Sequence, residues 1–179
     1  MNLPNKLTMS RLVLVPVFMA VMLEGYYLPA LAIFCVAAIT DFFDGYLARK
    51  KNLVSSFGKI MDPLADKLLV FSALVCFVQM GVISVWAPII IIAREFFVTS
   101  MRVVAVSKGK VIAASWWGKI KTIFQMVAII VAILLFLPIF PENISVMVTD
   151  ILVWISAVIT VVSGYDYVAK NFDLIKEAK

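Results

Sequence analysis

The sequence predicts an all-α integral membrane protein: a bundle of six transmembrane helices, with a short N-terminal interfacial segment and both termini in the cytoplasm. Of its 179 residues, 64% are hydrophobic and the mean hydropathy is +1.06, whereas soluble domains are closer to half apolar. Its Lys and Arg residues also fall into blocks that are separated by long stretches without either. A chain of this length is expected to form one domain, residues 1–179.

The distribution of Lys and Arg predicts the spans and their orientation. Three stretches lack both residues, and each is long enough for a helical hairpin or most of one: 12–48, 68–93 and 122–169. Because Lys and Arg are retained on the cytoplasmic side of a membrane, the hairpin turns face outward and the basic blocks face the cytoplasm. The predicted spans are 7–23, 28–48, 63–81, 85–104, 117–138 and 146–168.

The first span lies close to the N-terminus, where a secretory signal peptide would also lie. Met1 to Leu23 lacks a small-residue cleavage site, and residues 7–23 are enough for a short span. Thr8 to Arg11 can form an amphipathic entry near the lipid head groups. We therefore expect an interfacial segment followed by a membrane helix.

Charge and composition exclude several classes of function. In a membrane protein, the net charge of +5 reflects topology and contact with anionic head groups, so we expect no nucleic-acid partner. The chain has no His, which excludes His nucleophiles, His general bases and imidazole metal sites. A metal site must therefore be rich in oxygen ligands, which favours Mg²⁺ or Mn²⁺ over zinc.

Four carboxylates and two glycines lie within 26 residues of an otherwise apolar sequence: Asp41, Asp44, Gly45, Gly58, Asp62 and Asp66. Acidic residues in membrane helices are costly and mark functional sites. At 3.6 residues per turn, the first three share one helix face, and the last three, spaced by four, share another. If the two helices pack side by side, the carboxylates converge near the inner membrane surface, where two divalent cations could orient a pyrophosphate.

Each of these residues also has a structural interpretation. Asp62 precedes Pro63 and could cap the N-terminus of a helix. The two acids of the second span could pair with Arg49 and Lys50, and the glycines could be helix-packing contacts. These interpretations do not explain why four acids occupy matched helix faces, so a cation site is the stronger hypothesis.

The same residues form a pattern with a known counterpart. It resembles the complete signature of the CDP-alcohol phosphotransferase family, whose eight positions are filled by Asp41-x-x-Asp44-Gly45-x-x-Ala48-Arg49, eight residues, then Gly58-x-x-x-Asp62-x-x-x-Asp66. Three further segments resemble the bacterial branch of that family whose acceptor is sn-glycerol 3-phosphate: 5–11, 63–67 and 93–96. The likeness covers nearly the whole chain.

This resemblance implies an enzyme of the bacterial cytoplasmic membrane, multi-pass and with its active site facing the cytoplasm. It would transfer the phosphatidyl group of CDP-diacylglycerol to sn-glycerol 3-phosphate, giving phosphatidylglycerophosphate and CMP. The resemblance further implies a homodimer in contact with membrane lipid and two divalent cations, Mg²⁺ or Mn²⁺. Carried over by position, the metal ligands are Asp41, Asp44, Asp62 and Asp66, of which Asp66 is also the catalytic general base. The implied CDP-diacylglycerol-binding residues are Asn5, Thr8, Gly45, Ala48, Arg49 and Gly58.

A second group of charged residues predicts where the acceptor binds. Arg94 falls near the middle of the fourth span, where an arginine is functional by default, and Arg102 lies two turns on. With Lys119 and Lys121 at the start of the fifth span, they are expected to hold the acceptor phosphate. The alternatives are that Arg94 pairs internally with Glu95 or a signature aspartate, and that both lysines only mark topology.

The signature leaves the acceptor open. Another member of the family could use inositol phosphate, serine or phosphatidylglycerol. A divalent-cation transporter would be a different class, but it needs a route to both faces of the membrane, whereas all four acids cluster on one side. A scaffold without catalysis would not need the paired glycines and acids. Because the chain lacks His, a carboxylate is the natural base for the acceptor hydroxyl.

Overall fold

The computed structural model describes the backbone of residues 3–51, 56–107 and 115–171, and the side chains of residues 9–40, 67–106 and 115–171. Within these ranges the chain forms helices and no strand. In chain order the helices are α1 (Leu3–Leu23), α2 (Tyr27–Lys51), α3 (Ser56–Gln79), α4 (Trp86–Ser107), α5 (Trp116–Leu135) and α6 (Glu142–Lys170). The predicted all-α class is confirmed for this part of the chain.

Each predicted span corresponds to one helix, but the helices continue beyond several predicted ends. α2 reaches Lys51 and α3 begins at Ser56, so both extend well into the polar segment between the second and third spans. Hydropathy marks only the apolar part of a helix, whereas its hydrogen bonds continue into polar surroundings. For the same reason the predicted interfacial segment is not a separate element: α1 begins at Leu3 and runs without a break to Leu23.

Two glycines close the turns at the ends of α1 and α3. Gly25 has φ 83° and Gly81 has φ 71°, a left-handed backbone that a side chain would strain. Their amides donate to Met22 O at 3.1 Å and Val78 O at 3.0 Å. Each turn therefore ends its helix by satisfying a carbonyl of the last turn, at a position where the sequence predicts a hairpin.

The helices pack in two groups that share one core. α1 contacts α2 and α3, while α6 contacts α4 and α5, and both α2 and α3 also touch α5. Aromatic rings join these helices: the ring centroids of Phe18 and Phe34 are 5.7 Å apart, and those of Phe77 and Phe136 are 6.3 Å apart. This apolar core holds the helices in register, so that polar residues near one end of the bundle can meet.

The face of α6 that is buried against α4 and α5 carries small polar residues. The buried members of this row are Ser145, Thr149, Ser156, Thr160 and Ser163. Small side chains allow helices to approach closely in a membrane, where apolar surface alone gives little drive for association. Ser145 Oγ donates to Leu135 O at 2.5 Å, which fixes one end of α6 against the end of α5.

The outer surface of the described helices is unusually apolar. Large side chains with more than half of their area exposed occur on several helices, among them Val13, Val103, Ile123 and Val158. Such a surface is typical of a lipid-facing protein. Among the described residues, α5 and α6 are long and apolar enough to cross a membrane. These features are consistent with a membrane protein, while the six-span topology and the cytoplasmic termini stay predictions.

Candidate functional site

The signature residues lie on two neighbouring helices, as the sequence predicts. Asp41 and Asp44 are in the C-terminal half of α2, and Asp62 and Asp66 are in the N-terminal half of α3. The two helices contact each other and are separated by only four residues, 52–55. These halves therefore lie at the same end of the bundle, which is the arrangement that a shared site requires.

The side chains of the signature lie outside the part of the chain whose side chains the structure describes. This applies to the predicted metal ligands and to every predicted CDP-diacylglycerol-binding residue: Asn5, Thr8, Gly45, Ala48, Arg49 and Gly58. Among the described residues, no group of three or more His, Cys, Asp or Glu could hold a metal ion. The geometry of the predicted cation site therefore stays a prediction.

The backbone of α3 tests the interpretation of Asp62 as a helix N-cap. α3 begins at Ser56, so Asp62 is well inside the helix and not at its N-terminus. The interpretation of Asp62 as an N-cap before Pro63 is therefore wrong.

Beyond the signature, the structure brings three cations together around one carboxylate. Glu95 Oε1 accepts from Arg94 Nη1 at 2.9 Å and from Lys121 Nζ at 2.5 Å. Glu95 Oε2 is 4.0 Å from Lys67 Nζ. We call these four residues the cation cluster. It joins α3, α4 and α5, and its side chains are largely buried, with exposures between 4% and 18%.

Three residues from α4 and α6 support the cation cluster. Lys67 Nζ also donates to Thr99 Oγ1, one turn along α4 from Glu95. Arg94 Nη2 donates to Ser163 Oγ of α6 at 2.7 Å. At Gly164, a Cβ atom would come within 3.0 Å of Arg94 Cγ, so the missing side chain leaves room for the arginine to lie across α6. Four helices thus fix the positions of the cations.

The cation cluster has an excess of positive charge in a place that water reaches poorly. Among the residues whose side chains the structure describes, three cations face one carboxylate, which gives these four residues a net formal charge of +2. Arg94 Nε is buried and has no hydrogen-bond partner among the described residues. Buried charges need partners because their desolvation is costly. The arrangement can therefore bind an anion, and Arg94 is suited to a phosphate group.

The cation cluster lies beside the signature in the fold. Lys67 follows Asp66 directly in sequence and belongs to the same helix, α3. Its ammonium group is thus tied to the helix that carries two of the predicted metal ligands.

The structure separates the four predicted acceptor residues into two pairs. Arg94 and Lys121 meet at the same oxygen of Glu95. Arg102 and Lys119 are exposed and are not part of the cation cluster. The predicted alternative that Arg94 pairs with Glu95 is also realised, but the pair includes two more cations and so does not neutralise the site.

Several residues of this region were not predicted from the sequence. For Lys67, the only hint in the sequence of a place in the site is that it follows Asp66. Ser163 and Gly164 look like ordinary packing residues of α6. Arg11 of α1 is also buried, with 1% of its area exposed, although the sequence predicts an amphipathic entry near the lipid head groups for the segment that contains it. A charged residue that the fold buries could not be distinguished from one at the head groups by sequence alone.

Comparison with known proteins gives consistent matches over the chain. The family model described as CDP-alcohol phosphatidyltransferase matches residues 1–162. A CDP-diacylglycerol--glycerol-3-phosphate 3-phosphatidyltransferase of Bacillus subtilis (strain 168) is 43% identical, covering 98% of this chain and 97% of the relative. A protein of the same name from Escherichia coli (strain K12) is 40% identical, with 98% of each chain covered. A probable phosphatidylglycerophosphate synthase of Mycobacterium tuberculosis (strain ATCC 25618 / H37Rv) is 42% identical over 94% of this chain and 81% of the relative.

Proposed function

The chain belongs to the CDP-alcohol phosphatidyltransferase family, and on that basis we propose that it transfers a phosphatidyl group from CDP-diacylglycerol to sn-glycerol 3-phosphate. The products are phosphatidylglycerophosphate and CMP. The names of its relatives support this acceptor. The observation that carries the proposal is the cation cluster beside the signature, because a phosphorylated acceptor presents an anion to such a site and serine does not. The choice of glycerol 3-phosphate over inositol phosphate rests on the names of the relatives.

In this proposal the signature binds the lipid nucleotide. Asn5 and Thr8 of α1 approach the diphosphate, while the short or absent side chains of Gly45, Ala48 and Gly58 let the cytidine nucleotide come close to the backbone. Arg49 adds a cation beside the nucleotide. The acyl chains stay in the bilayer while the head group enters the polar end of the bundle.

The donor set of the signature fits a pair of hard divalent cations. Four carboxylates in a chain without His are oxygen ligands of the kind that Mg²⁺ and Mn²⁺ prefer. Asp41, Asp44, Asp62 and Asp66 would hold these ions. When bound, the ions offset the negative charge of the diphosphate during the displacement.

The reaction is proposed as a single displacement at phosphorus. Asp66 takes the proton of the acceptor hydroxyl, and the oxygen attacks the phosphorus that bears diacylglycerol. A new P–O bond forms to glycerol phosphate as the P–O bond to CMP breaks, and CMP carries away the bonding electrons. A base is needed because a neutral hydroxyl is a poor nucleophile.

Arg94 and Lys121 are proposed to bind the phosphate of the acceptor. Both are held in place by Glu95 and retain donors for further hydrogen bonds, since arginine has five and lysine three. Arg102 and Lys119 are exposed and would attract the anionic acceptor or contact it as it enters.

The same proposal includes the location of the protein in the membrane and its assembly. A single domain of 179 residues would cross the bacterial cytoplasmic membrane six times, with both termini and the active site on the cytoplasmic side. There it would meet a lipid substrate in the bilayer and a soluble one in the cytoplasm. We propose that it works as a homodimer surrounded by membrane lipid.

The test measures CMP release by detergent-purified protein from CDP-diacylglycerol in Mg²⁺ or Mn²⁺. The acceptors supplied one at a time are glycerol 3-phosphate, inositol phosphate, serine and phosphatidylglycerol, with Asp66→Asn as the inactive control. Release only with glycerol 3-phosphate, lost in the control, is the expected result. Release with another acceptor would overturn the substrate, and no release from folded protein with any acceptor would favour a transporter or scaffold.

A further inference from the structure

Glu95 is the centre of the cation cluster, yet it is not among the residues assigned to substrate or metal. One of its oxygens contacts both Arg94 and Lys121, and the other faces Lys67. We infer that Glu95 is a positioning residue, which gathers cations from three helices into one site for the acceptor phosphate. This inference rests on the proposed function.

The hydrogen bonds of Arg94 and Lys121 show how Glu95 can hold these cations without using all of their N–H groups. Arg94 uses Nη1 on Glu95 and Nη2 on Ser163, while its Nε has no partner among the described residues. Lys121 has three N–H donors, of which one is directed to Glu95. Because Arg94 Nε is buried against α6, a phosphate group would bind to the remaining N–H groups of Arg94 Nη1 and Nη2 and of Lys121 Nζ, without displacing the carboxylate.

The charge balance gives Glu95 a second effect. Without it, three cations would be held close together at a net charge of +3, and their repulsion would drive them apart. With it, the four described residues of the cluster carry a net charge of +2, which matches a phosphate monoester near pH 7. Glu95 thus makes the cluster both compact and complementary to a doubly charged acceptor.

A carboxylate in this place could act in the opposite way. It could occupy the anion site in the empty protein, so that the acceptor phosphate would have to displace it. Removing the charge of Glu95 would then tighten acceptor binding. The positioning role predicts weaker binding, and the two roles are therefore separated by the direction of the change.

The experiment measures KM for both substrates in the full-length protein with Glu95→Gln, which keeps the shape of the side chain but removes its charge. We expect KM for glycerol 3-phosphate to rise roughly tenfold, because charge-assisted contacts that hold the cations are lost. KM for CDP-diacylglycerol should stay within about twofold. Glu95→Asp, which keeps the charge on a shorter side chain, should give an intermediate KM. Glu142→Gln, an exposed glutamate in the first turn of α6, is the matched control and should behave as wild type.

The outcomes distinguish this inference from the proposed function. If wild type releases no CMP with glycerol 3-phosphate, the proposed function fails. If wild type is active and Glu95→Gln has an unchanged or lower KM for that acceptor, only the positioning role fails. Equal rises in both KM values, or loss of folded protein in both Glu95 variants by thermal unfolding, would make Glu95 a general structural residue and also overturn the inference.

Discussion

The two charged regions of this protein differ in how their residues are distributed along the chain. The signature acids all lie between Asp41 and Asp66 on consecutive helices, whereas the cation cluster and its supports come from α3, α4, α5 and α6. The first is a short-range pattern that helical periodicity reveals. The second exists only because four helices pack at one place. If the proposed function holds, the comparison teaches that the reacting part of a site can be local in sequence while the part that recognises the acceptor is assembled by the fold.

The largest effect is expected from a substitution in the signature. Asp66→Asn removes the proposed base while keeping the size of the side chain, and kcat should fall by roughly 10²- to 10⁴-fold. CMP release at saturating substrates measures it. Asp150→Asn on α6 is the matched control, and a similar loss in that variant would show that the effect is not specific to the site.

The next largest effect is expected from a substitution in the cation cluster. Arg94→Gln removes a charged donor from the cation cluster and should raise KM for glycerol 3-phosphate by about 10- to 100-fold. KM for CDP-diacylglycerol should change little. Arg102→Gln, on an exposed residue of the same helix, should have a much smaller effect. Equal changes in the two KM values would remove Arg94 from the acceptor site.

A smaller effect should follow from the loss of the α6 support. Ser163→Ala removes the hydroxyl that accepts from Arg94 Nη2, and KM for glycerol 3-phosphate should rise by about 2- to 10-fold. Ser145→Ala is the comparison, since that buried serine donates to Leu135 O at the other end of α6. It should lower the thermal unfolding temperature without changing KM. A KM change from Ser145→Ala alone would contradict this division.

The smallest effect tests the close approach of Arg94 to α6. Gly164→Ala places a Cβ 3.0 Å from Arg94 Cγ, so the flexible side chain must shift, and we expect KM for the acceptor to rise roughly threefold. Gly118→Ala is the matched change, because its nearest contact would be an ordinary 3.4 Å from Ser115 Oγ. If both variants keep the wild-type KM, the position of Arg94 does not depend on Gly164.

The sequence predicted most of the fold because membrane helices have simple signals. Their hydrophobic stretches and basic blocks predicted the six helices that the described part of the chain forms, and Gly25 and Gly81 adopt left-handed backbone in two of the turns. It was less successful at helix ends. α3 begins at Ser56, seven residues before the predicted span, because polar residues extend a helix without contributing hydropathy. The N-cap interpretation of Asp62 failed for this reason.

The sequence by itself determined the helical class, the family and the identity of the signature residues, since these depend on composition and on spacing within two helices. Only the tertiary structure decided which cations meet. It joined Arg94 and Lys121 through Glu95, added Lys67 and Ser163, and left Arg102 and Lys119 exposed. The physical reason is that helical periodicity gives the face on which a residue lies, whereas its neighbours on other helices depend on how those helices pack and in which register.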